Sequence, residues 1–150
     1  MPLRELRNGK QVADWLQELG GALKSAGDMT LIGSAALLWH VQDRGLNAEL
    51  PEASMDVDPV TDSEEVAARC YEALIGSEFE RTHGWHVNLM PHTVFKDWPA
   101  GWAGRATLRQ IGRLQLTVPS PRDLLDSKLR RNEPRDRAHA EWAKRIGLLG

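Results

Sequence analysis

Val12, Trp15, Leu16, Leu19 and Leu23 recur at spacings of three and four, which predicts an amphipathic helix with one buried stripe. Gly20-Gly21 weakens the middle of that helix or sets its end. Ala26-Gly27-Asp28 is a turn, after which Met29-Thr30-Leu31-Ile32 reads as a short buried strand. Ser34-Ala35-Ala36-Leu37-Leu38-Trp39 reads as the helix that follows. Residues 43–53 hold Gly45, Asn47 and Pro51 and predict a loop leading to a strand over 55–60. Asp62-Ser63-Glu64-Glu65 opens a helix with acids in its first turn; Val66, Cys70 and Leu74 form its buried stripe, extended to Tyr71. Residues 79–82 and 85–90 read as two strands split by His83-Gly84, a hairpin signal because Gly tolerates positive φ.

Residues 91–104 interleave Gly and Pro with Phe95, Trp98 and Trp102, which predicts a loop pinned by aromatic anchors. Residues 106–111 and 114–118 form a second hairpin through Gly112-Arg113. Ser120-Pro121-Arg122-Asp123 is a compact helix start, with a Ser cap, Pro at the first position and an acid three residues after the cap. That helix is expected over 121–131, and a last one over about 136–146. The order of elements fits an α/β or α+β single domain, a small mixed β-sheet packed with helices.

At 150 residues the chain is long enough for one domain with a proper core. Hydrophobic residues at 41% and charged residues at 27% are ordinary globular values. A net charge of −2 gives no global pull toward nucleic acid or anionic membrane, so any RNA contact needs a local basic face. The lone Cys70 excludes an intramolecular disulfide and suits a reducing compartment. No apolar run reaches membrane-spanning length, and Met1-Pro2-Leu3-Arg4-Glu5 lacks a secretory apolar region, so a cytoplasmic protein with no membrane partner is expected. Six tryptophans are many for this length; they are expected as core and loop anchors, with a base-stacking role open to one of them.

The candidate chemistry begins at Asp56-Val57-Asp58. Residues i and i+2 of a strand share a face, so both carboxylates stand side by side and repel. A hard divalent cation, Mg2+ or Mn2+, offsets that repulsion and bridges to phosphate oxygens, making Asp56 and Asp58 the candidate metal ligands. Gly33 lets a ligand approach the backbone, and Ser34 can cap a helix whose free N–H groups favour an anion. His83, His86 and His92 with Cys70 match no standard zinc spacing, and no G-x-S-x-G nucleophile elbow occurs.

The ordered pair of a Gly33-Ser34 step and Asp56-x-Asp58 resembles the signature of the nucleotidyltransferase superfamily. Within it the chain is similar to small stand-alone members, including toxins of abortive-infection and toxin–antitoxin systems. The likeness also draws on residues 119–129 and on Arg135-Asp136-Arg137. It implies a minimal nucleotidyltransferase-like fold that holds an NTP and a metal. It also implies a third acid on a later strand, where this chain has Asn88 in His86-Val87-Asn88. An amide oxygen can ligate Mg2+ but cannot act as a base; His86, expected on the same face, could carry the proton instead. Pro59 is a second departure and suggests a strand edge or early strand end. By the same likeness Lys128 contacts triphosphate oxygens and Asp136 orients it. Lys128, Arg130, Arg131, Arg135 and Arg137 make a local basic stretch that could track RNA or be a solvated helix face.

Three functions follow as expectations. The first is metal-dependent transfer of NMP to an acceptor hydroxyl on RNA, such as a tRNA end, or on protein, with an antitoxin as partner. The second is modification of a small-molecule antibiotic, with the aromatic 91–102 loop walling the acceptor pocket. The third is a non-catalytic relative that binds a nucleotide or a protein, suggested by Asn88.

Overall fold

The computed structural model describes residues 5–130 and 133–149; the first four residues and Arg131, where the helix from Pro121 was expected to end, lie outside them. In chain order the elements are α1 (Gly9–Ala22), β1 (Gly27–Ile32), α2 (Gly33–Asp43), β2 (Asp56–Val60), α3 (Glu64–Tyr71) and α4 (Glu78–His83). They continue with β3 (His86–Val87), a 3-10 turn (His92–Phe95), α5 (Trp102–Arg105), β4 (Thr107–Ile111), β5 (Leu114–Val118), α6 (Pro121–Leu129) and α7 (Pro134–Arg145). The fold class is the mixed α/β arrangement that the pattern predicts.

Among the described residues five strands form one mixed sheet, in the order β3-β2-β1-β5-β4. β1 runs antiparallel to β2 and parallel to β5, while β4 and β5 are the expected hairpin. The central position of β1 explains its apolar run: Met29, Leu31 and Ile32 are all buried. α1 starts at a capping box between Asn8 and Gln11 and buries Val12, Trp15, Leu16 and Leu19. Gly20 sits where α1 touches the β4–β5 hairpin. A Cβ there would lie 2.1 Å from the Ile111 carbonyl oxygen, so only glycine allows this approach. His40 ties α2 to the end of β5 through its Nε2, 2.7 Å from the Pro119 carbonyl oxygen. Leu37 and Leu38 of α2, Leu116 of β5 and Leu124 of α6 are all buried in the same core.

Several local expectations are corrected. Residues 79–82 are helical, because Ser77 caps α4 by accepting from Glu80 N at 3.2 Å. Gly84 has the anticipated positive φ, 87°, as the left-handed C-cap of that helix rather than a hairpin turn. The strand expected over 85–90 shortens to β3, which pairs parallel with β2. Pro59 does not end β2. Its carbonyl accepts from Met90 N at 2.8 Å, so its donorless nitrogen faces the same side, beyond the two residues of β3. Tyr71 is 57% exposed and leaves the buried stripe of α3.

Candidate functional site

The chain turns from β1 into α2 at Gly33, whose φ is 75°, a left-handed value that suits glycine. Space favours the same residue, since a Cβ on Gly33 would lie 2.7 Å from Asp58 Oδ2 and the carboxylate would have to shift. The register Ile32↔Asp58 across the β1–β2 ladder sets that approach. Asp56 and Asp58 are half-buried on one face of β2, and Val57 between them is fully buried on the other. The glycine turn that ends β1 and the carboxylates of β2 thus meet at the N-terminal end of α2.

Ser34 does not cap α2. The N-cap position is Ile32, with no side-chain hydrogen bond, and Ser34 is buried inside the first turn. Its hydroxyl instead accepts from Lys128 Nζ at 3.1 Å and lies 3.5 Å from His139 Nδ1. Lys128 is the penultimate residue of α6, and its side chain is 5% exposed. Its Nζ is 3.8 Å from Asp136 Oδ1, and Asp136 is fully buried on α7. A buried polar cluster of Ser34, Lys128, Asp136 and His139 therefore joins α2, α6 and α7 behind the Gly33–Ser34 step.

His139 is the member that sequence reading missed. It follows Asp136 by one turn, and Asp136, His139, Trp142 and Ala143 make up the buried stripe of α7. Two ionisable residues on an otherwise apolar stripe are the signal that marks it. Burial pushes its pKa down to about 4; Lys128 and Arg135 add to the effect, while Asp136 and the Glu52 carbonyl oppose it. That carbonyl acts without a well-formed hydrogen bond to Nε2. His139 is accordingly a neutral imidazole able to accept the Ser34 hydroxyl proton at Nδ1.

One cavity of about 530 Å³ brings these groups together. Gly33, Ser34, Asp56, Asp58, Asn88 and Lys128 border it. Arg130 and Arg135, from the basic stretch, also reach its edge. Asp136 stands behind Lys128 and does not border the cavity. Asn88 is exposed and lies beside the acidic pair, with Nδ2 3.4 Å from Asp58 Oδ1 and also 3.4 Å from Met90 Sδ. His86 shares the register of Asp56 but does not border the cavity. Its Nδ1 is 2.8 Å from Glu80 Oε2, an ion-pair distance without hydrogen-bond geometry. The structure therefore groups Asn88 with the aspartates and turns His86 toward α4.

Asp56 and Asp58 are the side chains that could hold a divalent cation. Among the described residues no group of three or more His, Cys, Asp or Glu is gathered for a metal. Two carboxylates nevertheless suit Mg2+, which keeps water and takes phosphate oxygens rather than an all-protein cage. No described helix is long and apolar enough to cross a membrane.

A family model described as a nucleotidyltransferase of unknown function (DUF6036) matches residues 10–146. No curated protein and no solved structure shows significant similarity to the chain.

Proposed function

The chain belongs to this family of nucleotidyltransferases, and we propose that it transfers NMP from an NTP to an acceptor hydroxyl with the help of Mg2+ or Mn2+. One observation carries the reading: Gly33-Ser34, Asp56, Asp58 and Lys128, up to 95 residues apart, border a single cavity. In the reaction an acceptor oxygen attacks the α-phosphorus, the bond to the β-phosphate oxygen breaks, and pyrophosphate leaves. The acceptor proton passes to a carboxylate of the Asp56–Asp58 pair or to water.

The residues divide this work. The N–H groups at the start of α2 and the Lys128 ammonium hold the triphosphate tail. Asp136 positions Lys128, and His139 fixes the Ser34 hydroxyl. Asp56 and Asp58 would hold the cation, which when bound neutralises phosphate charge and polarises the α-phosphoryl group. Arg130 and Arg135 at the cavity edge favour a polyanionic acceptor, an RNA end, over a small neutral one. An antitoxin-type partner belongs to this reading as a proposal only.

Asn88 favours a second reading, a nucleotide-binding relative with little turnover, because its amide adds no negative charge to the pair. Incubation with α-labelled NTPs, Mg2+ or Mn2+ and total RNA separates the two. Label on RNA that disappears in Asp58→Ala supports transfer. Label that persists in Asp58→Ala contradicts it, and an inert parent activated by Asn88→Asp selects the second reading.

A further inference from the structure

Beside its polar groups the cavity is lined by the larger apolar side chains of Met90, Val94 and Trp98. Four of the six tryptophans, Trp15, Trp39, Trp85 and Trp142, are buried. Trp98 is only half-buried, and it borders the cavity. Its ring is braced from within the loop. The centroids of Phe95 and Trp102 lie 5.2 Å and 5.3 Å from it, at 72° and 59°, and those two rings stack on each other at 4.6 Å and 18°.

The backbone around it is braced too. Trp98 N donates to the Phe95 carbonyl at 3.1 Å, and the Arg130 guanidinium donates to the Asp97 carbonyl. At the far end of the loop Arg105 makes a two-pronged pair with Asp123, at 3.0 Å and 2.8 Å. Trp102, the other tryptophan of this loop, is also half-buried but does not border the cavity. Trp98 is the one that lines the cavity, braced by the Phe95 and Trp102 rings, alongside polar groups that suit phosphate and metal.

We propose that Trp98, with Met90 and Val94, is the nucleobase subsite of this cavity, so that the base of a nucleoside triphosphate stacks on the Trp98 indole while its phosphates reach Ser34 and Lys128. The inference rests on the nucleotide reading given above. Stacking uses the π-face that every base has, so the subsite accepts all four bases. The cavity volume of about 530 Å³ is of the size that encloses a small ligand.

The test compares two probes by calorimetry in Mg2+: the α,β-methylene analogues of the four NTPs, and inorganic tripolyphosphate, which has no base. Trp98→Ala and Trp98→Leu are expected to weaken analogue binding roughly 5- to 150-fold, with tripolyphosphate affinity unchanged. Trp98→Phe, which keeps a π-face, is expected to recover most of the loss. Trp98→Leu keeps apolar volume, so a loop that merely needs filling gives parent-like affinity in that variant, and this result overturns the subsite. Equal weakening of tripolyphosphate also overturns it, since Trp98 then acts only by holding the loop. A parent chain that binds tripolyphosphate and the analogues equally well overturns the subsite and leaves the nucleotide reading standing. A parent that binds neither probe overturns both.

Discussion

Gly33 shows how much one residue decides. Its φ is 75°, and a methyl group added there would lie 2.7 Å from Asp58 Oδ2, so a side chain is strained and pushes the carboxylate aside. Gly33→Ala is expected to cost about 1–2 kcal/mol from left-handed strain, a fall of roughly 2–8 °C in Tm for a chain of this size. It should also displace the Asp58 carboxylate and weaken nucleotide binding beyond what the stability loss explains. Retained Tm and binding in this variant would contradict the account of the turn. Asp136→Asn removes the counter-charge that faces Lys128 in a buried setting and is expected to cost about 3 kcal/mol by urea unfolding. Lys128→Met combined with Asp136→Leu should recover stability without recovering nucleotide binding. The aspartate pair was legible because a strand's period of two is a strong rule. The true partner of Ser34 was not legible: the hydroxyl looks like a cap in sequence, and only the packing of α6 and α7 brings Lys128 and His139 to it.

At the scale of elements, those with self-sufficient local signals were legible in the sequence. Ser120 caps α6, accepting from Asp123 N at 3.2 Å and donating to Asp123 Oδ2 at 2.8 Å. Arg105 holds the Asp123 carboxyl below its usual range, with the Ser120 hydrogen bond adding to the effect and burial opposing. Ser120→Ala is expected to cost about 1 kcal/mol, read as a lower urea midpoint with unchanged slope. The β4–β5 hairpin was equally legible from alternation around Gly112-Arg113. α4 was not legible, because Phe79 looks like a strand residue. Ser77 and Glu80 capping and the stacking of His83 on Phe79, at 3.9 Å, one turn apart, favour the helix there. β3 is so short that its pairing with β2, not its own pattern, defines it.

For the molecule as a whole, buried neutral histidines make stability depend on pH. The folded pKa of His139 is about 4 against an ordinary 6.5. Between those values the unfolded chain binds a proton that the folded chain does not. Its contribution is therefore complete above pH 6.5 and is lost as pH falls toward 4, about 3 kcal/mol in all. His40, also lowered by burial, acts in the same direction. Urea unfolding at pH 7 and pH 5 should show about 2 kcal/mol of this loss in the parent and less in His139→Gln; equal losses would assign the effect to other groups. Cys70 is buried and its thiol pushed up to about 12, so the native chain should resist thiol reagents until unfolded.

The central claim is that the cavity binds a metal-linked nucleotide at Asp56 and Asp58. Thermal unfolding of the parent and Asp58→Ala, with each NTP and with or without Mg2+ or Mn2+, tests it most directly. A ligand at one hundred times its Kd stabilises by about 2.7 kcal/mol, so a metal-dependent rise of about 5–10 °C is expected for the parent and none for Asp58→Ala. No rise with any millimolar NTP, or an equal rise in the mutant, would contradict the claim.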